Sequence, residues 1–377
     1  MAAESLFWLA LFLIFYAYLG YPLLLGAMGL VVRRPIQASE TEYWPTVTLI
    51  LPVHNEAHVI DEKLKNLDSL RYPRDRLMVR IVSDGSTDHT QQRVLAYQGD
   101  LQIQLLVQAQ RQGKAAALNL GLQNISTELV IFSDASIMLD AQALHYIVQP
   151  FQDPAIGCVS GEDKIAGGGG EGLYGRYELF LRNLESRVSS IAGASGSFYA
   201  VRAHLCRPFL PGLAPDFLSV LVTVEGGYRS ITEPRAFGFM RSTHSTRGEF
   251  TRKVRTLIRG MTALWHLRAI LNPVRFGLFS WVLWSHKVAR WLVPFFMILA
   301  FIANLFLLGH KFYLWMMIMQ IIFYSLALFG LLSQHASSQS KIIKLCLYFT
   351  VVNAAIFFAW VRFIAGTRLE IWEPTRR

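Results

Sequence analysis

Four long stretches without a charged residue constrain this chain more than any other feature of its sequence. They cover residues 6–32, 291–308, 312–332 and 345–361. A helix that crosses a bilayer needs roughly 20 apolar residues, and about 17 to 25 are tolerated. A buried core helix is the alternative for any one stretch, but three successive stretches favour membrane helices. Residues 6–32 are too long for the apolar region of a signal peptide and lack a basic segment before it, so we expect a retained anchor.

Basic residues gather beside these stretches. The formal net charge is +10, and basic residues cluster at 33–34, 247–275 and 286–290. Basic residues that flank apolar spans usually mark the cytoplasmic face of a membrane and its anionic lipids. We therefore expect contact with membrane lipids. Binding of nucleic acid, the competing explanation for a basic chain, is not expected.

The chain divides into four regions. We expect an N-terminal anchor at residues 1–32, a large polar domain at 33–248, amphipathic interface helices at 249–285, and about three membrane helices at 286–377. In the polar domain, predicted strands at 46–52, 79–83, 103–107 and 129–132 alternate with predicted helices at 56–70, 88–97, 114–123 and 141–151. This alternation is typical of a Rossmann-like α/β fold with a mainly parallel sheet. Ligands of such sheets bind at the carboxyl ends of the strands.

Polar motifs follow the first two predicted strands. PVHNE at residues 52–56 comes after the first, and SDGSTD at residues 83–88 comes after the second. Asp84 lies where it can accept hydrogen bonds from a base or a ribose, and Gly85 permits a tight turn. A turn followed by a helix cap explains either motif alone equally well.

The next two motifs suit a diphosphate and a metal ion. Lys114 follows a glycine at the start of a predicted helix, where helix-terminal amides also favour phosphate. Asp134 comes directly after the fourth predicted strand, and Ser136 supplies a second oxygen two residues later. Mg²⁺ and Mn²⁺ take oxygen ligands and complete their shell with substrate phosphate and water. We therefore expect Asp134 and Ser136 to hold one of these ions.

The second half of the domain supplies candidates for the acceptor side. The loop with Ser195, Gly196 and Ser197 consists of small residues and permits close approach of a bulky polar ligand. Asp216 starts an apolar helix, either as a helix N-terminal acid or as a base that deprotonates an acceptor hydroxyl.

Residues 249–268 form an amphipathic pattern with interleaved arginines. Such a helix lies in the membrane interface. There, Arg252 and Arg255 face lipid or reach a pyrophosphate, and the pattern does not separate these roles.

Taken in order, the motifs resemble those of the family-2 glycosyltransferases with a GT-A domain, the group that contains the cellulose, hyaluronan and poly-N-acetylglucosamine synthases. The resemblance covers about residues 47–264. It implies that Asp216 is the catalytic base, that Asp134 and Ser136 form the metal-binding DxD element, and that the loop at 195–197 faces the acceptor. The residues that it assigns to the nucleotide-sugar are Pro52, Asn55, Glu56, Asp84, Lys114, Asp134, Arg252 and Arg255.

Three elements depart from the family pattern. The DxD element reads Asp134-Ala135-Ser136 and lacks its second carboxylate, and the ED element keeps Asp216 but lacks the preceding acid. The QxxRW element, at residues 252–256, lacks its glutamine and tryptophan. In the polymerases that tryptophan position helps to hold the growing chain, so its loss weakens the case for processive synthesis.

The resemblance implies an inverting, membrane-bound glycosyltransferase. The expected substrates are a nucleotide-sugar, with UDP favoured and a hexose or N-acetylhexosamine as the sugar, and a lipid-linked or polysaccharide acceptor in envelope or exopolysaccharide synthesis. Partner subunits of an export or synthesis complex are possible. A processive synthase and a non-catalytic nucleotide-sugar-binding scaffold stay open as alternatives. A transporter is less favoured because the predicted spans hold no central run of ionisable residues.

Membrane topology contains a conflict. Nucleotide-sugars are cytoplasmic, so the polar domain of a multi-pass plasma-membrane protein should face inward, as Arg33 and Arg34 indicate. Four full spans then place the C-terminus outside. Arg362, Arg368, Arg376 and Arg377 favour the inside, which suggests that one apolar segment is re-entrant or interfacial.

Overall fold

A computed structural model describes residues 1–32, 34–37, 41–166, 170–241, 246–333 and 340–367. Arg33 and residues 368–377, which entered the topology prediction, lie outside the described residues.

A mixed sheet of eight strands forms the centre of the polar domain. The strands are β1 (Val47–Val53), β2 (Leu77–Asp84), β3 (Gln102–Gln108), β4 (Leu129–Ser133), β5 (Ile137–Leu139), β6 (Ile156–Ala166), β7 (Phe198–Arg202) and β8 (Arg229–Arg241). Their order is β3-β2-β1-β4-β7-β6-β8-β5. The first four strands are parallel, as predicted, while β7 pairs antiparallel with both β4 and β6. The mainly parallel α/β fold is therefore confirmed, with a second half of mixed direction.

Helices cover both faces of this sheet. Those of the domain are α3 (Ile60–Asp68), α4 (Thr90–Leu95), α5 (Lys114–Leu122), α6 (Ala143–Val148), α7 (Gly170–Val188), α8 (Pro215–Glu225) and α9 (Thr246–His266). Helix α3 begins four residues after the predicted start at residue 56. The reason is local, because Asn55 has a φ of 54° and the chain turns before it can enter a helix. Strand β1 is buried along its whole length, which accounts for its continuous apolar sequence.

Within the described residues, four helices are long and apolar enough to cross a membrane. They span Ala2–Val31, Leu278–Leu305, Lys311–Leu332 and Lys341–Ile364. The first joins α1 (Ala2–Phe15) to α2 (Tyr21–Val31) through a π-helical turn at Tyr16–Gly20. After the short α10 (Pro273–Phe276), the second joins α11 (Leu278–Leu283) to α12 (Ala289–Leu305) through a π-helical turn at Trp284–Val288. The others are α13 (Lys311–Leu332) and α14 (Lys341–Ile364).

The second of these helices differs from its prediction. It starts at Leu278, so the expected border between interface and membrane regions at 285 and 286 falls inside its π-helical turn. His286, Lys287 and Arg290 interrupted the uncharged run in the sequence. In the fold they sit within the helix because Glu178 of α7 lies opposite them, with its carboxylate 2.8 Å from His286 Nε2 and 3.1 Å from Arg290 Nη1.

The domain and the membrane helices share one core. On one face of the sheet, α8 and α9 pack into a cluster that also contains residues of α14. Val254 and Ile258 of α9 lie in the same cluster as Ala355, Ile356 and Ala359. This joint core places the carboxyl ends of β1 and β4 close to the membrane helices.

Candidate active site

Asp84, at the end of β2, holds the loop that leads into α5. Its carboxylate accepts hydrogen bonds from the backbone N–H groups of Gln112, at 2.7 Å, and Gly113, at 2.8 Å. The neighbouring strand end is tied to it through Asn55, whose side-chain oxygen accepts from Thr87 N at 2.8 Å. These contacts position the loops at the carboxyl edge of the sheet.

Lys114 and Asp134 come together at the centre of the site. Lys114 begins α5, Asp134 follows β4, and Lys114 Nζ lies 2.5 Å from Asp134 Oδ1. The lysine also donates to the Gly196 carbonyl at 3.3 Å. The Asp134 carboxylate thus lies in a position that accepts a positive charge. The sequence motifs around Lys114 and Asp134 are brought to one point, as the strand-end argument predicts.

Two buried ionisable groups lie beside Asp134. Glu56 is 7% exposed, and burial together with the charges of Asp134 and Asp88 raises its pKa to about 7. Lys63 of α3 is fully buried, and this burial lowers its pKa to about 7. The lysine nitrogen donates to Ser133 Oγ at 3.0 Å and to the Ile137 carbonyl at 2.6 Å, so it braces the chain on both sides of the Asp134 loop.

The small-residue loop at 193–197 lies against Asp216. A Cβ added to Gly196 would be 3.8 Å from the Asp216 carboxylate, so the loop and this carboxylate lie within van der Waals contact of each other. Ser195 is 1% exposed and turns inward, where its hydroxyl donates to Asp163 Oδ1 at 2.7 Å. Ser195 therefore shapes the loop, while Gly196 and Ser197 face the cavity described next.

A cavity of about 600 Å³ connects these groups. Its wall contains the predicted site residues Glu56, Lys114, Asp134, Ser136, Gly196, Ser197, Asp216, Arg252 and Arg255. Four predicted site residues of the described chain lie outside this wall: Pro52, Asn55, Asp84 and Ser195. The hydrogen bonds of Asn55, Asp84 and Ser195 hold the loops behind the wall. Arg252 and Arg255 project from α9, opposite the strand ends.

The cavity continues to the membrane helices. Its wall includes Tyr18 of the first candidate span, Arg290 and Trp291 of the second, and Tyr348 and Val352 of α14. Residues of three candidate spans and the strand-end carboxylates thus bound a single space.

Arg259 links α9 to the helix that carries Asp216. Its guanidinium donates twice to the Leu213 carbonyl, at 3.2 and 2.8 Å, just ahead of α8. Burial lowers the pKa of Arg259, and Asp216 and Asp134 oppose that shift. The start of α8, and with it Asp216, is fixed to α9.

A buried ion network lies where α7 meets the membrane helices. His286 sits between Glu185, 2.5 Å from its Nδ1, and Glu178, 2.8 Å from its Nε2. Glu185 also accepts from Tyr21 OH at 2.7 Å and from Ala192 N at 2.8 Å. Burial opposes ionisation of Glu185, but His286, Tyr21 and the Ala192 amide outweigh it and hold the pKa of Glu185 below its usual value.

Sequence reasoning missed this network and Lys63. Lys63 carried a signal, because Ile60, Lys63, Leu64 and Leu67 follow the spacing of one helix face and all four are buried. Glu178 and Glu185 are seven residues apart and therefore lie on one face of α7. Their partner His286 is too distant in sequence for spacing to reveal.

Comparison with known proteins agrees with this geometry. Residues 48–201 match the model of glycosyl transferase family 2. Poly-beta-1,6-N-acetyl-D-glucosamine synthase of Staphylococcus aureus is 30% identical over 120 residues, which cover 32% of this chain and 29% of that protein. The enzyme of the same name from Staphylococcus epidermidis is 28% identical over 134 residues, covering 35% of this chain and 32% of that protein. The chain thus spans about a third of the length of these curated relatives.

A solved structure extends the likeness to almost the whole chain. The mannosyltransferase PcManGT from Pyrobaculum calidifontis, in complex with GDP-Man and Mn²⁺, superposes with a TM-score of 0.75 at 23% sequence identity. The superposition covers 97% of this chain and 100% of that one. Identity at this level establishes a shared fold over almost the whole chain. The chain therefore contains a glycosyltransferase family 2 domain with the GT-A fold, followed and preceded by helices able to span a membrane.

Proposed function

We propose that the protein is a membrane-bound, inverting glycosyltransferase that moves a hexose or N-acetylhexosamine from a nucleotide-sugar to a lipid-linked or polysaccharide acceptor in envelope or exopolysaccharide synthesis. One observation carries this proposal. The cavity that contains Asp134 and Asp216 is also walled by Tyr18, Trp291 and Val352 of three candidate spans. A soluble acceptor does not require such walls, whereas an acceptor anchored in lipid does.

The donor fits the strand-end side of the cavity. Lys114, Arg252 and Arg255 are cations suited to a diphosphate. The relatives are named for N-acetylglucosamine polymer synthesis and for GDP-mannose, so the expected UDP linkage stays a prediction that both nucleotides must test. Asp84 and Asn55 support the nucleoside side through the loops that they hold.

A divalent cation fits the residues present. Asp134 offers one carboxylate and Ser136 one hydroxyl, and Lys114 Nζ shows that a positive charge is accepted at Asp134 Oδ1. No cluster of three His, Cys, Asp or Glu ligands occurs in the described residues, so donor phosphate oxygens and water would complete the shell. Bound Mg²⁺ or Mn²⁺ would neutralise charge on the leaving diphosphate.

We assign the role of the base to Asp216, which lies in the cavity wall. The acceptor hydroxyl gives its proton to the Asp216 carboxylate while its oxygen forms a bond to the anomeric carbon. The bond from that carbon to the donor phosphate breaks, and its electron pair leaves with the nucleoside diphosphate. Attack from the face opposite the nucleotide inverts the configuration, and no covalent enzyme intermediate is needed.

The test is Asp216→Asn in full-length enzyme reconstituted in lipid. General-base catalysis contributes roughly 10²- to 10⁴-fold, so transfer should fall by that factor while nucleotide affinity is retained. Nucleotide release is measured with UDP- and GDP-sugars, with and without Mg²⁺ or Mn²⁺. Glu225→Gln, at the half-buried opposite end of α8, is the control and should stay active. Normal turnover of Asp216→Asn would remove Asp216 from this role.

A processive synthase is the second candidate, because the Staphylococcus relatives are polymer synthases by name. The absence of glutamine and tryptophan from residues 252–256 favours single or limited transfer. Product length in vitro, one sugar or many, separates the two functions.

A further inference from the structure

A second group of cations lines the cavity on its membrane side. Arg182 of α7 and Lys287 and Arg290 of the second candidate span all face the same space as Asp216. Lys287 belongs to the π-helical turn at Trp284–Val288, a kind of helix distortion that is frequent at functional sites. These side chains are distinct from Lys114, Arg252 and Arg255, which serve the donor in the proposed function.

The ion network behind these cations fixes their position. Glu178 lies 3.1 Å from Arg290 Nη1 and 3.9 Å from Lys287 Nζ. Its other strong partner is His286, which Glu185 holds from the opposite side. The 3.9 Å contact from Lys287 to Glu178 is longer than a hydrogen bond. The carboxylate therefore attracts the ammonium group without accepting a hydrogen bond from it.

Arg182 has unused hydrogen-bonding capacity. Its Nε is buried and has no hydrogen-bond partner among the described residues. Its Nη2 reaches the Ala194 carbonyl at the limiting distance of 3.5 Å. A buried guanidinium N–H without an acceptor is costly, and a small shift of the Arg182 side chain toward an anion in the cavity would relieve that cost.

The location of these cations indicates which anion they serve. Lys287 Nζ would lie 3.5 Å from a Cβ at Gly193, and it lies 5.8 Å from the ring centroid of Phe217, the residue after Asp216. The ammonium thus lies beside the loop at Gly193 and beside the residue that follows the proposed base. Beyond it the wall becomes aromatic and aliphatic, with Trp291 and Ile356 from the candidate spans.

We propose that Arg182 and Lys287, with Arg290 behind them, bind the diphosphate of a lipid-linked acceptor. This inference rests on the proposed function and names its acceptor class as a sugar joined to an isoprenoid-type lipid through a diphosphate. The sugar hydroxyl reaches Asp216, the diphosphate lies on the cations, and the lipid continues along the span residues. The acceptor diphosphate keeps all its bonds during transfer and serves as a handle.

Farnesyl diphosphate is the probe, because it carries the lipid and the diphosphate but no sugar. Its binding is measured on full-length enzyme in phosphatidylcholine nanodiscs, with saturating nucleoside diphosphate and Mn²⁺ to fill the donor site. Lys287→Gln and Arg182→Gln should each weaken binding roughly tenfold or more, since each removes a charge-assisted hydrogen bond. Lys287→Arg should retain most of the affinity. Lys311→Gln, an exposed lysine at the start of α13, should bind as the wild type does.

Three further measurements distinguish a lipid diphosphate from the lipid alone, from free pyrophosphate and from bulk anionic lipid. Farnesol should not bind, and inorganic pyrophosphate should displace farnesyl diphosphate only weakly. If phosphatidylglycerol nanodiscs abolish farnesyl diphosphate binding, the cations hold bulk anionic lipid and the proposal is overturned.

Nucleotide affinity is recorded for every variant and confirms that each has folded. Wild-type enzyme that binds nucleotide but not farnesyl diphosphate would refute the acceptor site and leave the transferase function standing. Failure to release nucleotide from any sugar donor would instead refute the proposed function, because farnesyl diphosphate binding is measured without turnover.

Discussion

The buried lysine beneath the Asp134 loop makes a quantitative prediction about stability. Lys63 is fully buried, with its nitrogen bonded to Ser133 Oγ and the Ile137 carbonyl. Burial lowers its pKa from 10.5 to about 7. Each pKa unit corresponds to about 1.36 kcal/mol, so below pH 7 the charged lysine makes the folded state less stable by about 5 kcal/mol.

The substitution Lys63→Met removes both the charge and the donors. Loss of the two hydrogen bonds costs about 1 to 3 kcal/mol each. At neutral pH this cost nearly cancels the stability that is gained by removing the buried charge. The informative quantity is therefore how the difference in unfolding free energy between the wild type and Lys63→Met changes with pH. Between pH 7 and 10 the unfolded chain binds a proton at residue 63 that the folded chain does not. The wild type should then gain about 1.4 kcal/mol per pH unit relative to Lys63→Met, or about 4 kcal/mol over the range.

Thermal unfolding of the full-length protein in detergent, recorded from pH 6 to 10, measures this difference. The two curves should run in parallel below pH 7 and diverge above it, with the wild type becoming the more stable. Lys65→Met is the matched control, because Lys65 is exposed on the same helix. A constant difference between wild type and Lys63→Met across the whole range would show that Lys63 keeps one protonation state, and would refute the reasoning.

Two further substitutions test the supports of the site. Glu185→Gln removes one of the two carboxylates that flank His286, the one that is fully buried and that Tyr21 also contacts. The melting temperature should therefore fall by an amount that reflects about 3 to 5 kcal/mol. Turnover should fall with nucleotide affinity unchanged, and a wild-type melting curve would contradict this. Gly85→Ala should weaken nucleotide binding at least tenfold, because Gly85 has a φ of +60° and a Cβ there would lie 2.5 Å from Arg111 N. Gly227→Ala has a similar positive φ but open space, so calorimetric binding should show nearly normal nucleotide affinity.

The sequence predicted those parts of the fold that depend on local pattern. The strand at 129–132 and the helix that begins at Lys114 are found within a residue of their predicted places, because apolar runs and glycine turns act over short distances. The strand-end rule also predicts that Lys114 and Asp134 lie at the same edge of the sheet, where their side chains form an ion pair. Asp216 and Arg255 meet in the same cavity, as the order of motifs implied.

Contacts between segments that lie far apart in the sequence could not be predicted from local pattern. His286, Lys287 and Arg290 read as a basic flank of a span, yet they belong inside a helix because Glu178 and Glu185 face them. Nothing in the local sequence of either segment identifies its partner. Ser195 shows the same limit, since its hydroxyl donates to Asp163 and the residue itself does not line the cavity.

The shared core of α9 and α14 has a consequence for biosynthesis. On the ribosome, α9 is made before α14, so Val254 and Ile258 wait for Ala355 and Ile356 to arrive. Tyr348 of α14 is also a hydrogen-bond partner of Lys253 and part of the cavity wall. Earlier segments of a nascent chain fold first. The nascent polypeptide therefore has its sheet before it has a complete cavity, and the cavity is closed only after the later helices have docked.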